Sequence, residues 1–194
     1  CGDGQVLGVP MASGGPSFGF MCCREKLVRQ MPGRIIGKTV DLEGRDGYTL
    51  TLQAREQHIR RGKATSNICT NQGLLVTAGT IHMALMGPQG LRDVALTSHN
   101  NAATLRDRLL LIPGVNPFND LPFFNEFALR LDTEVNAVAA AMRERGILAG
   151  LDVNDFVEIE GGGQVLLLAV TEKRTQKEMD AYVDAMTSIL GAAA

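Results

Sequence analysis

The chain has 194 residues, which is enough for one good core or two modest lobes. Its net charge of −2 predicts no general attraction to nucleic acid or to a membrane surface, and no apolar run is long enough for a transmembrane helix. The charge is unevenly divided: residues 24–63 hold ten Lys and Arg against five Asp and Glu, whereas residues 64–194 hold nine against fifteen. We therefore expect a basic surface from the first block, although a solvated face of mixed charge explains it equally well.

The chain opens within a glycine-rich strand-and-turn pattern, with neither an initiator methionine nor a signal peptide. We therefore expect it to be part of a longer protein. The cysteines show no metal-type spacing and adjacent cysteines rarely bridge each other, so we predict reduced thiols and no metal site. The cysteines are Cys1, Cys22, Cys23 and Cys69.

The first third of the chain predicts strands and turns. Residues 1–23 predict two short strands, with Val6 to Val9 in the first and Phe18 to Met21 in the second. Gly14 and Gly15 lie between them, where glycine allows a positive φ in a plain turn or a close approach to a ligand. Residues 24–30 predict a short helix that Pro32-Gly33 stops, and residues 35–52 predict a β-hairpin.

The remainder predicts a small α/β lobe with the order ααβαβα. A helix capped by Ser66 or Asn67 is expected to run to about residue 86, and Gly87-Pro88 to start the next helix, over residues 89–107. His82 lies on the apolar side of the first helix and is expected to be a core histidine. The later elements are a loop at 113–120, a strand at 123–131, a helix capped by Asp132 or Thr133 and stopped by Gly146, a linker, a strand at 164–171 and a helix at 176–190.

The chemistry-bearing stretch is a basic loop that we define as residues 55–67. It contains Arg55, His58, Arg60, Arg61 and Lys63, and then turns to the small polar residues Thr65, Ser66 and Asn67. A cation cluster beside the N-terminus of a helix favours a phosphate or carboxylate, because orphan N–H groups and the helix dipole act with the guanidinium groups. A salt-bridge cluster at a subunit interface and a solvated loop are the alternatives.

Several segments of the chain resemble the P-protein of the glycine cleavage system, the decarboxylating glycine dehydrogenase. The most specific are residues 52–61 (LQAREQHIRR) and 63–72 (KATSNICTNQ), and residues 29–37 (RQMPGRIIG), 170–175 (VTEKRT), 14–16 and 19–20 agree as well. The resemblance covers nearly the whole chain. It is strongest to the C-terminal part of subunit 1, the α-type half of the two-subunit form.

The resemblance implies an aminotransferase-like fold of type I, the fold of pyridoxal phosphate (PLP)-dependent transferases, in which residues 1–23 are remnant strands of the large domain, residues 24–63 connect, and residues 64–194 form the small C-terminal domain. That small domain would be an α/β lobe with a short, mostly antiparallel sheet and helices. It also implies an enzyme that decarboxylates glycine and passes the aminomethyl group to lipoylated H-protein. The compartment implied is the cytoplasm of a bacterium, or the mitochondrial matrix of a eukaryote.

In this family the Schiff-base lysine shortly precedes the glycine-rich turn, but residues 1–25 contain no lysine and Lys26 follows the turn. The resemblance therefore implies that PLP is held covalently by the β-type partner, subunit 2, and that this chain alone is inactive. In the related cysteine desulfurases a Gly-Thr-x-Asn loop reaches the partner's PLP phosphate, and residues 64–67 have a similar shape and location. We hypothesise that Thr65, Ser66 and Asn67, with Arg55, His58, Arg60 and Arg61, contribute to the partner's PLP pocket.

Two other functions stay open. The chain could be a structural module that only assembles with a catalytic partner, or a lobe of a self-sufficient aminotransferase or cysteine desulfurase. The missing lysine argues against the second of these. Gly62 departs from the family pattern, which has an acidic residue there, and this leaves the basic loop less neutralised. Residues 1–23 are expected to pair with another copy or to form a poorly anchored arm, because their sheet edge has no partner in the chain.

Overall fold

The computed structural model describes residues 1–10, 16–52, 56–65 and 72–193. The chain divides into two compact units, 1–87 and 88–194, which are described separately below. The three-part division at residues 23 and 63 stays a prediction.

The first unit opens with a minimal sheet. Strand β1 (Gly2–Asp3) pairs antiparallel with strand β2 (Gly19–Phe20). The first strand was predicted at Val6 to Val9, and this was wrong, because residues 5–8 form a turn. The Asp3 carboxylate starts that turn by accepting the N–H of Gln5 at 2.8 Å. A hydrogen bond from the Ser17 hydroxyl is the main cause of a lowered pKa of Asp3, and the hydrogen bond from the Gln5 N–H adds to it.

The predicted short helix and hairpin are confirmed. A 3-10 helix spans Glu25–Gln30, and strands β3 (Ile35–Val40) and β4 (Asp46–Thr51) pair antiparallel along their whole length. Asp41 shapes the hairpin turn, because its carboxylate accepts the N–H groups of Glu43 and Arg45 at 2.9 and 2.8 Å. Such side-chain bonds replace backbone partners that a tight turn leaves unsatisfied.

The long helix α2 spans Gly73–Leu109 and is interrupted at Gly87, whose φ of 65° and ψ of 174° are not helical. The predicted break at Gly87-Pro88 is therefore confirmed. The helix start was predicted too early: Gln72 is not helical and α2 begins at Gly73. The expected caps, Ser66 and Asn67, lie outside the described residues.

The N-terminal segment packs against the first part of α2. Phe18 is buried, and its ring lies so close to Gly79 that a Cβ added there would be 2.8 Å from Cζ. Gly8 lies against half-buried His82 in the same way, with 2.5 Å between an added Cβ and the histidine Cβ. The prediction of a poorly anchored arm was therefore wrong. The segment is anchored because two glycines allow its backbone and the Phe18 ring to approach the helix. The expected pairing with another copy stays a prediction.

The second unit contains, besides the end of α2, four strands and two helices: β5 Val115–Pro117, β6 Glu126–Leu131, α3 Val135–Glu144, β7 Leu151–Asp152, β8 Gln164–Ala169 and α4 Gln176–Ala193. The strands form one sheet with the order β5-β6-β8-β7, in which every pair is antiparallel. The core joins residues of α2, the sheet and both helices, and Leu109, Leu129, Met142, Leu166 and Met186 are fully buried. The predicted α/β lobe is confirmed.

The two edge strands were not predicted. Strand β5 lies in the segment read as a loop, and it ends at Pro117, which suits an edge because proline has no N–H for a further neighbour. Strand β7 has only two residues and lies in the segment read as a linker. Strands this short carry no readable alternation of apolar and polar residues.

The helix ends were only partly predicted. Helix α3 is not capped by Asp132 or Thr133: its N-cap is Glu134, and the N–H of Val135 donates to Gln164 Oε1 of β8 at 3.1 Å. Gly146 follows its C-terminus with φ +74°, as predicted. None of the helices among the described residues is long and apolar enough to cross a membrane.

Candidate functional site

The described part of the basic loop folds into two consecutive tight turns. Helix α1 (Gln57–Arg60) begins where the carbonyl of Glu56 accepts the N–H groups of Ile59 and Arg60, at 3.1 and 2.9 Å. A 3-10 helix over Arg61–Lys63 follows directly, and Ala64 N–H donates to the Arg61 carbonyl at 3.1 Å. The described part of the basic loop therefore consists of two short consecutive helices, over residues 57–63.

The described candidates His58, Arg60, Arg61 and Thr65 are all exposed, as is Lys63. Arg61 and Lys63 make no ion pair with any residue that the structure describes. The two cationic side chains of Arg61 and Lys63 therefore have no neutralising carboxylate among the described residues. Their local potential favours a ligand or partner that carries negative charge.

Arg61 adopts an unusual backbone conformation, with φ 53° and ψ −128°. Non-glycine residues rarely take a positive φ, and such strain tends to persist where the surroundings impose it. The neighbouring Gly62 has no positive φ, and a Cβ added there would meet no atom within 4 Å. The backbone and the space at residue 62 would therefore both accept an acidic side chain, so the expected departure from the family pattern would change only the charge.

The structure describes only some of the predicted site residues. The two short helices over residues 57–63 contain His58, Arg60 and Arg61, and Thr65 follows two residues later. Four residues lie outside the described part of the chain: Arg55, Ser66, Asn67 and Cys69. Thr65 is also not in the first turn of α2, since that helix begins at Gly73. The expected contribution of a helix N-terminus at Thr65 is therefore not observed.

The described side chains of the basic loop suit the phosphate group of PLP and not its covalent attachment. Guanidinium groups and a hydroxyl are suitable donors for a phosphate ester, and the exposure of these side chains leaves them accessible to a ligand. Lys26 lies in the 3-10 helix after the glycine-rich turn and is exposed. The described loop therefore offers phosphate donors, while the chain offers no lysine before the turn.

One well-ordered polar arrangement was missed by sequence reasoning, although its segment, residues 170–175, had been recognised as a motif. We define residues 171–175 as the TEKRT loop. Ser98 is only 5% exposed, and its Oγ accepts the N–H of Glu172 at 3.0 Å. Asn101 donates its two side-chain hydrogens to the carbonyls of Thr171 and Arg174, at 3.2 and 3.1 Å. These partners lie in α2, 70 to 74 positions before the residues that they bind, so no local signal identifies them.

The TEKRT loop also starts helix α4 with a capping box. The Glu178 carboxylate accepts the N–H and the hydroxyl of Thr175, both at 2.8 Å, while the N–H of Glu178 donates back to that hydroxyl. These bonds lower the pKa of Glu178. The loop is therefore held at both ends, by Asn101 at Thr171 and by Glu178 at Thr175.

Further along α4, burial raises the pKa of Tyr182, whose hydroxyl donates to the Ala149 carbonyl at 2.6 Å.

Comparison with known proteins assigns the chain to a family. The family profile described as "Glycine cleavage system P-protein" matches residues 1–186. A protein of Methylococcus capsulatus named "Probable glycine dehydrogenase (decarboxylating) subunit 1" is 55% identical over 191 residues, which cover 98% of this chain and 42% of that protein. The chain thus spans about two fifths of the length of this relative.

Solved structures agree with this assignment and with the fold. A structure of glycine decarboxylase (P-protein) of the glycine cleavage system, in inhibitor-bound form, superposes with a TM-score of 0.81 at 48% identity and covers 96% of this chain and 42% of that chain. A NifS-like protein from Rickettsia africae shares the fold at a TM-score of 0.51 and 16% identity, covering 66% and 37%. The predicted aminotransferase-like α/β fold is confirmed. The chain therefore belongs to the glycine cleavage system P-protein family.

Proposed function

We propose that this chain is part of a glycine decarboxylase in which another chain, subunit 2, holds PLP covalently. The observation that carries the proposal is the match to a relative named as subunit 1 of the decarboxylating glycine dehydrogenase. The absence of a lysine from residues 1–25 supports it, because this chain then lacks the family's covalent attachment point. The bacterial relatives favour the bacterial cytoplasm as the compartment.

The proposed reaction removes the carboxylate of glycine as carbon dioxide and transfers the aminomethyl group to lipoylated H-protein. When bound, PLP supplies the electron sink for this chemistry. The present chain supplies binding and orientation. In this proposal residues 64–194 form the small domain that frames the pocket, and residues 24–63 connect it to the strands at 1–23.

The basic loop is proposed to hold the phosphate of the partner's PLP. Arg60 and Arg61 contribute charge, and the Thr65 hydroxyl donates a hydrogen bond; Arg55, His58, Ser66 and Asn67 complete the proposed set. Exposure of the described members supports this role, since side chains that serve another chain cannot be buried in their own. A hydrogen bond to a charged group contributes about 1.5–3 kcal/mol, so losing one should weaken PLP binding by a factor of ten or more.

Reconstitution tests the function. The natural full-length protein, subunit 2 and lipoylated H-protein are mixed, and glycine–bicarbonate exchange is measured. We expect exchange only when this protein and subunit 2 are both present. Full exchange by subunit 2 with H-protein alone would contradict the proposal.

Substitution of Thr65 separates a contribution to the site from simple assembly. Thr65→Ala should leave the complex intact and lower its PLP affinity and turnover. The control is Thr187→Ala, which removes an exposed hydroxyl of α4 that bonds within its own helix. An intact complex with unchanged PLP affinity and turnover would refute the role of Thr65 and favour a purely structural subunit.

A further inference from the structure

We draw no further inference here: the strongest candidate, the cleft of the second unit that lies between residues 146–150 and the start of α4 and is lined by Arg174, Glu178 and Tyr182, carries nothing, because each of these three side chains already makes a hydrogen bond within the unit and nothing in the structure shows what covers the cleft.

Discussion

Asn101 should be the residue on which the TEKRT loop depends most. Its side-chain amide donates to the carbonyls of Thr171 and Arg174, at 3.2 and 3.1 Å. Asn101→Asp keeps the shape of the side chain and replaces the donor with an acceptor that faces two carbonyl oxygens. Two neutral hydrogen bonds contribute about 1 kcal/mol each, so their loss alone should destabilise the fold by about 2 kcal/mol, and repulsion adds to this.

The control lies one residue earlier. Asn100 is exposed on the same helix, and its side chain makes no hydrogen bond to a described residue, so Asn100→Asp introduces the same charge without breaking an interaction. We expect its effect on unfolding to stay within about 0.5 kcal/mol. Urea unfolding of the two variants measures the difference, and exchange of the backbone N–H groups of residues 172–174 locates it.

The effect of Asn101→Asp should depend on pH. The carbonyl oxygens around residue 101 disfavour a charged carboxylate, so its folded pKa should lie above the unfolded value of about 3.9. The destabilisation should therefore be largest at neutral pH and should shrink as the pH falls through the folded pKa, because the protonated acid can donate one hydrogen bond. Equal stability of the two variants at pH 7, or an effect that grows on acidification, would refute the role assigned to Asn101.

Three further predictions follow from single contacts. Leu129→Ala, in the middle of the sheet and fully buried, should lower the unfolding free energy by about 2–5 kcal/mol, whereas Leu148→Ala, 84% exposed, should change it by less than about 0.5 kcal/mol in the same urea titration. Gly79→Val should displace the Phe18 ring and make residues 1–23 sensitive to limited proteolysis; unchanged resistance would show that the ring does not anchor the segment. Glu178→Gln should be less stable than the wild type above about pH 4.5 and should match it at low pH. The reason is that the hydrogen bonds from Thr175, which lower the pKa of Glu178, stabilise the folded protein only while this carboxylate is ionised. Parallel pH profiles of the two proteins would contradict this.

Local patterns predicted the hairpin, the break in α2 and the last helix. The hairpin was readable because alternating apolar residues flank a polar, glycine-containing turn, and Gly87-Pro88 was readable because both residues act through their own backbone. Helix α4 was readable because Met179, Met186 and Leu190, all buried, repeat at helical spacing. In each case the decisive interaction is encoded within a few residues.

The missed features depend on partners that are distant in sequence. The start of α3 is satisfied by Gln164, which is 29 residues away, and the TEKRT loop is held by residues of α2 that are 70 to 74 positions away. Strands β5 and β7 exist because longer neighbours offer them hydrogen bonds. For the site, the charge cluster alone suggested an anion. The resemblance to a family supplied the cofactor and the partner.

The location of the covalent PLP bond tests the central claim most directly. The complex of the natural full-length protein with subunit 2 is treated with borohydride, which makes the bond between cofactor and lysine permanent, and both chains are digested and analysed by mass spectrometry. We predict that the pyridoxyl group is found on a lysine of subunit 2 and on no lysine of this chain. A pyridoxyl group on Lys26, or on any other lysine of this chain, would contradict the account.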